Sequence, residues 1–326
     1  MAVYTAVDDD ALAAFLADYD LGAPMAFKGI AEGVENSNYL LRTEAGEYIL
    51  TLYEKRVAPA DLPFFLGLME HLAANGAPCP VPVKARDGEA LRELCGRPAA
   101  IITFLPGLSP RRVDLQHCAE LGAGLARLHL AADGFALSRA NDLGLAGWRA
   151  LFADAGPAAA ASFSPALRDE LAADLDALSA VWPADGALPR GVIHADLFPD
   201  NAFFAGRGAE SRLSGIIDFY FACEDVVAYD LAICVTAWCF ETDGAFNATK
   251  AMRLTAGYAR ERPLRPEERA ALPVLCRGAA MRFALTRLYD WVNTPDSAMV
   301  TRKDPTPYVR RLRFHRAAIG PEAYGL

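Results

Sequence analysis

The sequence predicts an α+β chain in two unequal parts, and three observations carry that prediction. Alternating, strand-like runs are concentrated in the first hundred residues, helix-period runs dominate everything after them, and Leu105-Pro106-Gly107 interrupts the chain where the character changes. The parts are a first lobe over 1–104 and a second over 105–326, with a hinge at about 103–107. At 326 residues and 53% hydrophobic composition the chain has apolar surface enough for two cores.

The elements follow in order. A short helix is expected around Asp10 to Tyr19, and Asn38 to Glu54 reads as a hairpin turning at Glu44-Ala45-Gly46-Glu47. Ala60 to Ala74 places Leu62, Phe65, Leu66, Met69 and Leu72 at amphipathic helix spacing, and Asn75-Gly76 stops it. A second strand pair, Ala90 to Leu94 and Pro98 to Phe104, is assigned its turn at Asp87-Gly88. Beyond the hinge, helical patterns cover Leu115 to Leu130, Ala146 to Phe152, Leu167 to Leu178, Val226 to Phe240, Phe246 to Tyr258 and Pro266 to Val292. Ala158 to Ala161 is read as a loop or a helix start. Short extended pieces at Gly191 to His194, Ala202 to Phe204 and Leu213 to Ile217 lie among these helices, separated by polar loops.

Charge and cysteine usage exclude several classes. A net charge of −9 provides no general field toward nucleic acid or an anionic membrane, so any phosphate must be met locally. Seven cysteines without a C-x-x-C pair fit a reducing compartment better than a metal or disulfide framework. Met1 to Asp10 carries three consecutive acids, the wrong chemistry for a signal peptide, and a cytoplasmic location is expected. Val226 to Phe240, the most apolar run, is interrupted by Asp230 and too short to span a bilayer.

The densest chemistry lies in Val192-Ile193-His194-Ala195-Asp196-Leu197-Phe198-Pro199-Asp200-Asn201, followed by Ile216-Ile217-Asp218-Phe219. This is the His-x-Asp-Leu-x-x-x-Asn pattern of a phosphotransfer loop, with a second Asp ending a nearby strand. From the chain's composition, about 0.008 chance matches to His-x-Asp-x4-Asn are expected, so the pattern is a signal. Taken singly, Asp196 and Asp218 would each pass for a helix cap or turn carboxylate. Together they divide the work of phosphoryl transfer: Asp196 orients the acceptor hydroxyl and takes its proton, while Asn201 and Asp218 offer hard oxygens to Mg²⁺. His194 and Asp230 are assigned structural support, and His129 a structural place on its helix. Lys28-Gly29 to Tyr39 is a Gly-bearing stretch whose Gly33 amide and Ser37 and Asn38 side chains are candidates to cover nucleotide phosphates. Backbone around Ile102 and Phe104 is the candidate partner for adenine. These residues alone specify a kinase for a small alcohol, with ATP and Mg²⁺ as cofactors.

His194 to Asn201 with Ile217-Asp218-Phe219 resembles the aminoglycoside phosphotransferase and choline kinase group, small-molecule relatives of protein kinases. The stretches Gly33 to Tyr39, Tyr48 to Glu54, Gly191 to Asn201, Gly215 to Cys223, Arg282 to Trp291 and Leu312 to His315 look like the homoserine kinases of that group, so the likeness covers nearly the whole chain. It implies a protein-kinase-like two-lobed fold, an antiparallel-sheet N-lobe and a mainly helical C-lobe with ATP in the cleft. It also implies transfer of phosphate from ATP to L-homoserine, giving O-phospho-L-homoserine in threonine biosynthesis. A kinase for choline or an aminoglycoside, and a non-catalytic nucleotide-binding module, remain open alternatives.

One departure from the wider group stands out. Where its third strand carries a lysine and the next helix a partnering glutamate, this chain has Thr51 and then Phe64 and Phe65. Loss of both partners together strands no charge and points to an altered phosphate grip, with Lys28, Lys55 or Arg56 as possible substitutes. The acceptor's carboxylate calls for an arginine fork, for which Arg282 and Arg287 are the candidates; Asp200 or Asp290 would meet its ammonium group. On the last long helix Arg282, Thr286 and Tyr289 share one flank, beside an apolar stripe of Met281, Leu285, Leu288 and Val292.

Overall fold

The computed structural model describes residues 4–30, 36–54, 57–294 and 302–326. They divide into two compact units. The first contains the described residues up to Pro106 together with Gly134–Leu137 and Gly215–Tyr220; the second contains Gly107–Asp133, Ser138–Ser214 and Phe221–Leu326. No helix among the described residues is long and apolar enough to cross a membrane.

In the first unit α1 (Asp9–Leu16) precedes β1 (Pro24–Gly29), β2 (Ser37–Thr43) and β3 (Gly46–Leu52), then come α2 (Leu62–Ala74), β4 (Arg92–Leu94) and β5 (Arg97–Thr103). The strands form one sheet in the order β1-β2-β3-β5-β4, each neighbouring pair antiparallel. Tyr39 and Leu41 on β2, Leu50 and Leu52 on β3 and Ile101 on β5 are buried with Leu12, Phe15 and Leu16 of α1. Period-2 alternation sends Thr51, between Leu50 and Leu52, to the opposite face, yet it is only 1% exposed because that face is covered too.

Two sequence assignments change here. Strand β1 escaped the pattern reading because it is an edge strand whose residues are mostly exposed, so it has no alternation to detect and is held by its ladder to β2. The turn of the second strand pair is Cys95-Gly96, not Asp87-Gly88: Leu94 pairs with Arg97, and Cys95 and Gly96 sit at φ 52° and 72°. Two consecutive positive φ values are what a two-residue hairpin loop needs, and a cysteine gives no composition cue for it. Asp87-Gly88 instead reverses the chain before β4, the Gly88 amide donating to the Ala85 carbonyl at 2.9 Å.

The second unit runs α3 (Leu115–Ala131), α4 (Leu145–Asp154), α5 (Gly156–Phe163), α6 (Pro165–Val181), β6 (Arg190–Ile193), β7 (Ala202–Ala205), β8 (Arg212–Ile216), β9 (Cys223–Val226), α7 (Val227–Trp238), α8 (Ala248–Glu261), α9 (Pro266–Asn293) and α10 (Thr306–Ala317); the end of β8 belongs to the first unit. β6 pairs antiparallel with β9, and β7 pairs with β8. The alanine tract lies inside α5. Gly122 on α3 and Gly257 on α8 bring those two helices into backbone contact, since a Cβ at either would overlap a carbonyl of the other helix. α7 is buried on nearly every side, as an apolar run interrupted only by Asp230 and Thr236 requires. On α9 the expected apolar stripe stops early: Val292, near the helix end, is exposed, whereas Arg282 is 1% exposed and enclosed among Met281, Phe283 and Ala284.

Ion pairs fasten α10. Glu170 on α6 holds Arg313 at 2.6 Å and Arg316 at 3.0 Å, while buried Asp174 binds Arg316 at 2.9 Å and also Arg277 of α9. Inside, His315 shares hydrogen bonds with Thr236 Oγ1 at 3.2 Å and Tyr324 Oη at 3.0 Å. Burial, reinforced by the Arg311 charge, lowers its pKa from 6.5 to about 3. The folded protein therefore binds fewer protons than the unfolded chain between those values, and stability falls as pH drops through that window, by about 1.4 kcal/mol per pH unit. Denaturant unfolding measured at pH 6 and pH 4.5 is expected to show this loss, and His315→Gln to flatten it; an unaltered slope in the variant would remove His315 as its source.

Candidate active site

The loop after β6 is held at almost every residue. Ile193 ends the strand in the core, and Ala195 turns at φ 65°, a left-handed conformation that an L-residue keeps only under outside constraint. The constraint is Asp230 on α7. Its carboxylate accepts the His194 amide at 2.7 Å and the Ala195 amide at 2.9 Å, and meets His129 Nε2 at 3.1 Å. His129, on α3, is fixed in turn by Tyr258 Oη at 2.8 Å. Burial alone would push Asp230 up, but the His129 hydrogen bond, the charges of His129 and His194 and the His194 amide together hold it below the usual aspartate value.

His194 is fully buried, and its Nδ1 accepts the Asp196 amide at 3.2 Å. Asn201 Nδ2 donates to the Asp196 carbonyl at 2.8 Å, which fixes the carboxamide against the loop. Trp238 Nε1 donates to the Leu197 carbonyl at 2.8 Å, and Ser109 Oγ to the Asp200 carbonyl at 3.2 Å. Asp196 is left half-buried at the turn, with Arg282 Nη2 at 3.8 Å from its Oδ1. Arg282 also donates through Nη1 to the Ala195 carbonyl, and its guanidinium lies 4.6 Å over the Phe283 ring. Arg287 lies five residues further along α9, and the Asp196 charge acts on it. Asp200 is exposed and Asp290 half-buried.

The first unit carries Asp218 just past β8, at φ 66°. Tyr220, two residues on, shares a hydrogen bond with Tyr53 Oη at 3.3 Å. Burial pushes Tyr220 up to about 12, with the Tyr53 hydrogen bond opposing and the Asp218 charge adding. Thr51 Oγ1 donates to Asn38 Oδ1 at 2.8 Å, and the Phe65 ring stands edge-on to Tyr220 at 5.7 Å. Thr51, Tyr53, Tyr220 and Phe65 thus form a hydroxyl and aromatic cluster in the first unit, with buried Phe64 edge-on to Phe65. Ser37 is wholly buried: it accepts the Tyr4 and Thr5 amides at 2.8 and 3.1 Å and donates to Glu54 Oε1 at 2.7 Å. Its hydroxyl thus ties the N-terminal backbone and Glu54 to the start of β2. Ile102 is buried in β5, while Phe104 is exposed and its amide already donates to the Glu47 carbonyl at 3.2 Å. Lys28 is exposed on β1. Gly33, Lys55 and Arg56 lie outside the described residues.

A family model described as "Phosphotransferase enzyme family" matches residues 26–264, a span that includes both the Asp196 loop and Asp218. The chain belongs to the phosphotransferase enzyme family. Within it, proteins named homoserine kinase from Paramagnetospirillum magneticum and Rhodospirillum rubrum are each 61% identical to this chain over its whole length, and the match covers 100% and 99% of their own lengths. Solved phosphotransferases share the fold at low identity. A spectinomycin phosphotransferase superimposes with a TM-score of 0.70 at 14% identity, covering 98% of this chain and 100% of that one. An amicoumacin kinase does so with 0.67 at 16%, covering 95% and 92%. The kinase-like α+β fold that the resemblance implied is therefore the fold of this family member.

Tyr53, Tyr220, Tyr308 and Arg311 escaped the sequence reading. Tyr53 and Tyr220 lay inside strings already singled out and carried no polar signal of their own. Tyr308 and Arg311 fall on α10, which was not recognised as an element.

Proposed function

We propose that this phosphotransferase is a homoserine kinase, transferring the γ-phosphoryl group of ATP to the side-chain hydroxyl of L-homoserine to give O-phospho-L-homoserine and ADP. The observation that carries this reading is full-length identity of 61% to several proteins of that name, in a chain that keeps Asp196, Asn201 and Asp218 in a braced loop and a strained turn.

Asp196 aligns the acceptor hydroxyl and takes its proton as the bond to phosphorus forms, work that depends on position more than on covalent chemistry. Arg282 supports it from 3.8 Å and holds the loop through the Ala195 carbonyl. Asn201 and Asp218 suit magnesium by donor chemistry, each presenting hard oxygen. Among the described residues no three His, Cys, Asp or Glu side chains group into a metal cage, which fits a cation that takes its other ligands from phosphates and water. When bound, magnesium would neutralise charge on the β- and γ-phosphates. Asn38, Thr51 and the backbone around Ile102 and Phe104 serve the nucleotide; Asp200 or Asp290 serves the acceptor's ammonium group.

The deciding measurement is ADP release by the full-length protein with magnesium and ATP against homoserine, choline, serine and an aminoglycoside. Turnover with homoserine alone is expected. Turnover with another acceptor in its place, or with none, would overturn the reading.

A further inference from the structure

In a chain of net charge −9, the second unit gathers three arginines around the Asp196 loop and the Tyr308 ring that packs on it, and their partners differ. Arg282 is committed to the loop through the Ala195 carbonyl and the Asp196 carboxylate. Arg287 on α9 and Arg311 on α10 are not committed in this way. Both guanidiniums stack over the Tyr308 ring, at 4.4 and 4.5 Å from its centroid. Each donates a hydrogen bond only to a backbone carbonyl, Asp304 for Arg287 and Thr236 for Arg311, both at about 2.9 and 2.8 Å. Among the described residues neither lies within ion-pair distance of a carboxylate. Arg287 is buried enough that desolvation lowers its pKa, and the Arg311 charge lowers it further.

Two half-buried like charges on one ring are unfavourable unless an anion joins them. The Tyr308 hydroxyl adds a donor: the residue is 1% exposed and the hydroxyl has no hydrogen-bond partner among the described residues. The cluster also sits at the reaction centre. Phe198 of the Asp196 loop packs on Phe283 at 4.8 Å and on Tyr308 at 6.3 Å, and the Asp196 charge acts on both Arg287 and Tyr308.

We infer that Arg287, Arg311 and the Tyr308 hydroxyl form the site that receives the acceptor's α-carboxylate, and that Arg282 positions the loop. This deepens the homoserine kinase reading and rests on it. An amino-acid alcohol reaching Asp196 with its hydroxyl would extend its carboxylate to two guanidinium forks, a geometry that suits a planar anion. A simple amino alcohol would leave the forks unpaired, and that cost confers the specificity.

The test compares homoserine with 3-amino-1-propanol, which is homoserine without its carboxylate, using full-length wild type, Arg311→Gln, Arg287→Gln and Tyr308→Phe. Wild type is expected to favour homoserine by about 10³-fold or more in kcat/KM, the scale seen when a polar site is left unpaired. Each Arg→Gln variant should raise the homoserine KM by about 30-fold with kcat within about threefold, and should shrink the preference in proportion. The KM for ATP should stay unchanged; a parallel rise in it would assign the anion site to a phosphate and overturn the proposal. An equal loss with both acceptors would mean a structural role and overturn it too. Tyr308→Phe keeps the ring under both arginines and should raise the homoserine KM by about three- to tenfold, so it decides the matter if an Arg variant fails to fold. Wild type that ignores homoserine overturns the reading beneath and this proposal with it. Active wild type with unaltered variants overturns the carboxylate site alone.

Discussion

Asp196→Ala is expected to lower kcat with homoserine by about 10³-fold or more, while nucleotide affinity measured by calorimetry stays within about threefold of wild type. The residue sits at the turn of a loop whose backbone is tied down at His194, Ala195, Leu197 and Asp200, so its carboxylate is delivered to one place without reorganisation. Its own carbonyl holds Asn201, a backbone bond that alanine keeps. The side chain, half-buried, adds little packing, and unfolding midpoints should move only slightly. Asp196→Asn, which preserves shape and removes the base, should lose nearly as much turnover. If either variant retained wild-type kcat, Asp196 would not be the group that takes the proton.

The second large effect falls on a residue assigned to support the loop. Asp230→Ala is expected to cost about 3–5 kcal/mol in denaturant unfolding, because it strips partners from two buried amides and from buried His129 at once. Turnover should fall together with stability, since the left-handed turn at Ala195 is held by those two amides. Asp230→Asn keeps one carbonyl oxygen and should recover part of both losses. The carboxyl lies below its ordinary value in the fold, so its contribution is present above the unfolded aspartate pKa and is lost as pH falls through the lower folded one. Wild-type stability and kcat in Asp230→Ala would show that the turn is held by something else.

Legibility followed the range over which each feature is determined. The amphipathic helices, the hairpin at Glu44 to Glu47 and the Asp196 loop carry their signals within a few turns of chain, and the described elements agree with them. β1 was invisible because an exposed edge strand needs no alternation, and the Cys95-Gly96 turn because its backbone is imposed by the Leu94 and Arg97 pairing rather than by residue preference. Ala195 and Asp218 adopt left-handed backbone without a glycine to announce it. For Ala195 the cause is a carboxylate 35 residues away in sequence.

By itself, the sequence determined the class of fold, the compact motif around Asp196 and the family to which the chain belongs, because local periodicity and a compact motif are properties of contiguous residues. Only the tertiary structure decided that Arg282 serves the loop, that Thr51, Tyr220 and Phe65 gather in one cluster, and that Arg287 and Arg311 meet over Tyr308. Those outcomes depend on which side chains long-range packing deprives of water and of partners, and no stretch of neighbouring residues encodes that.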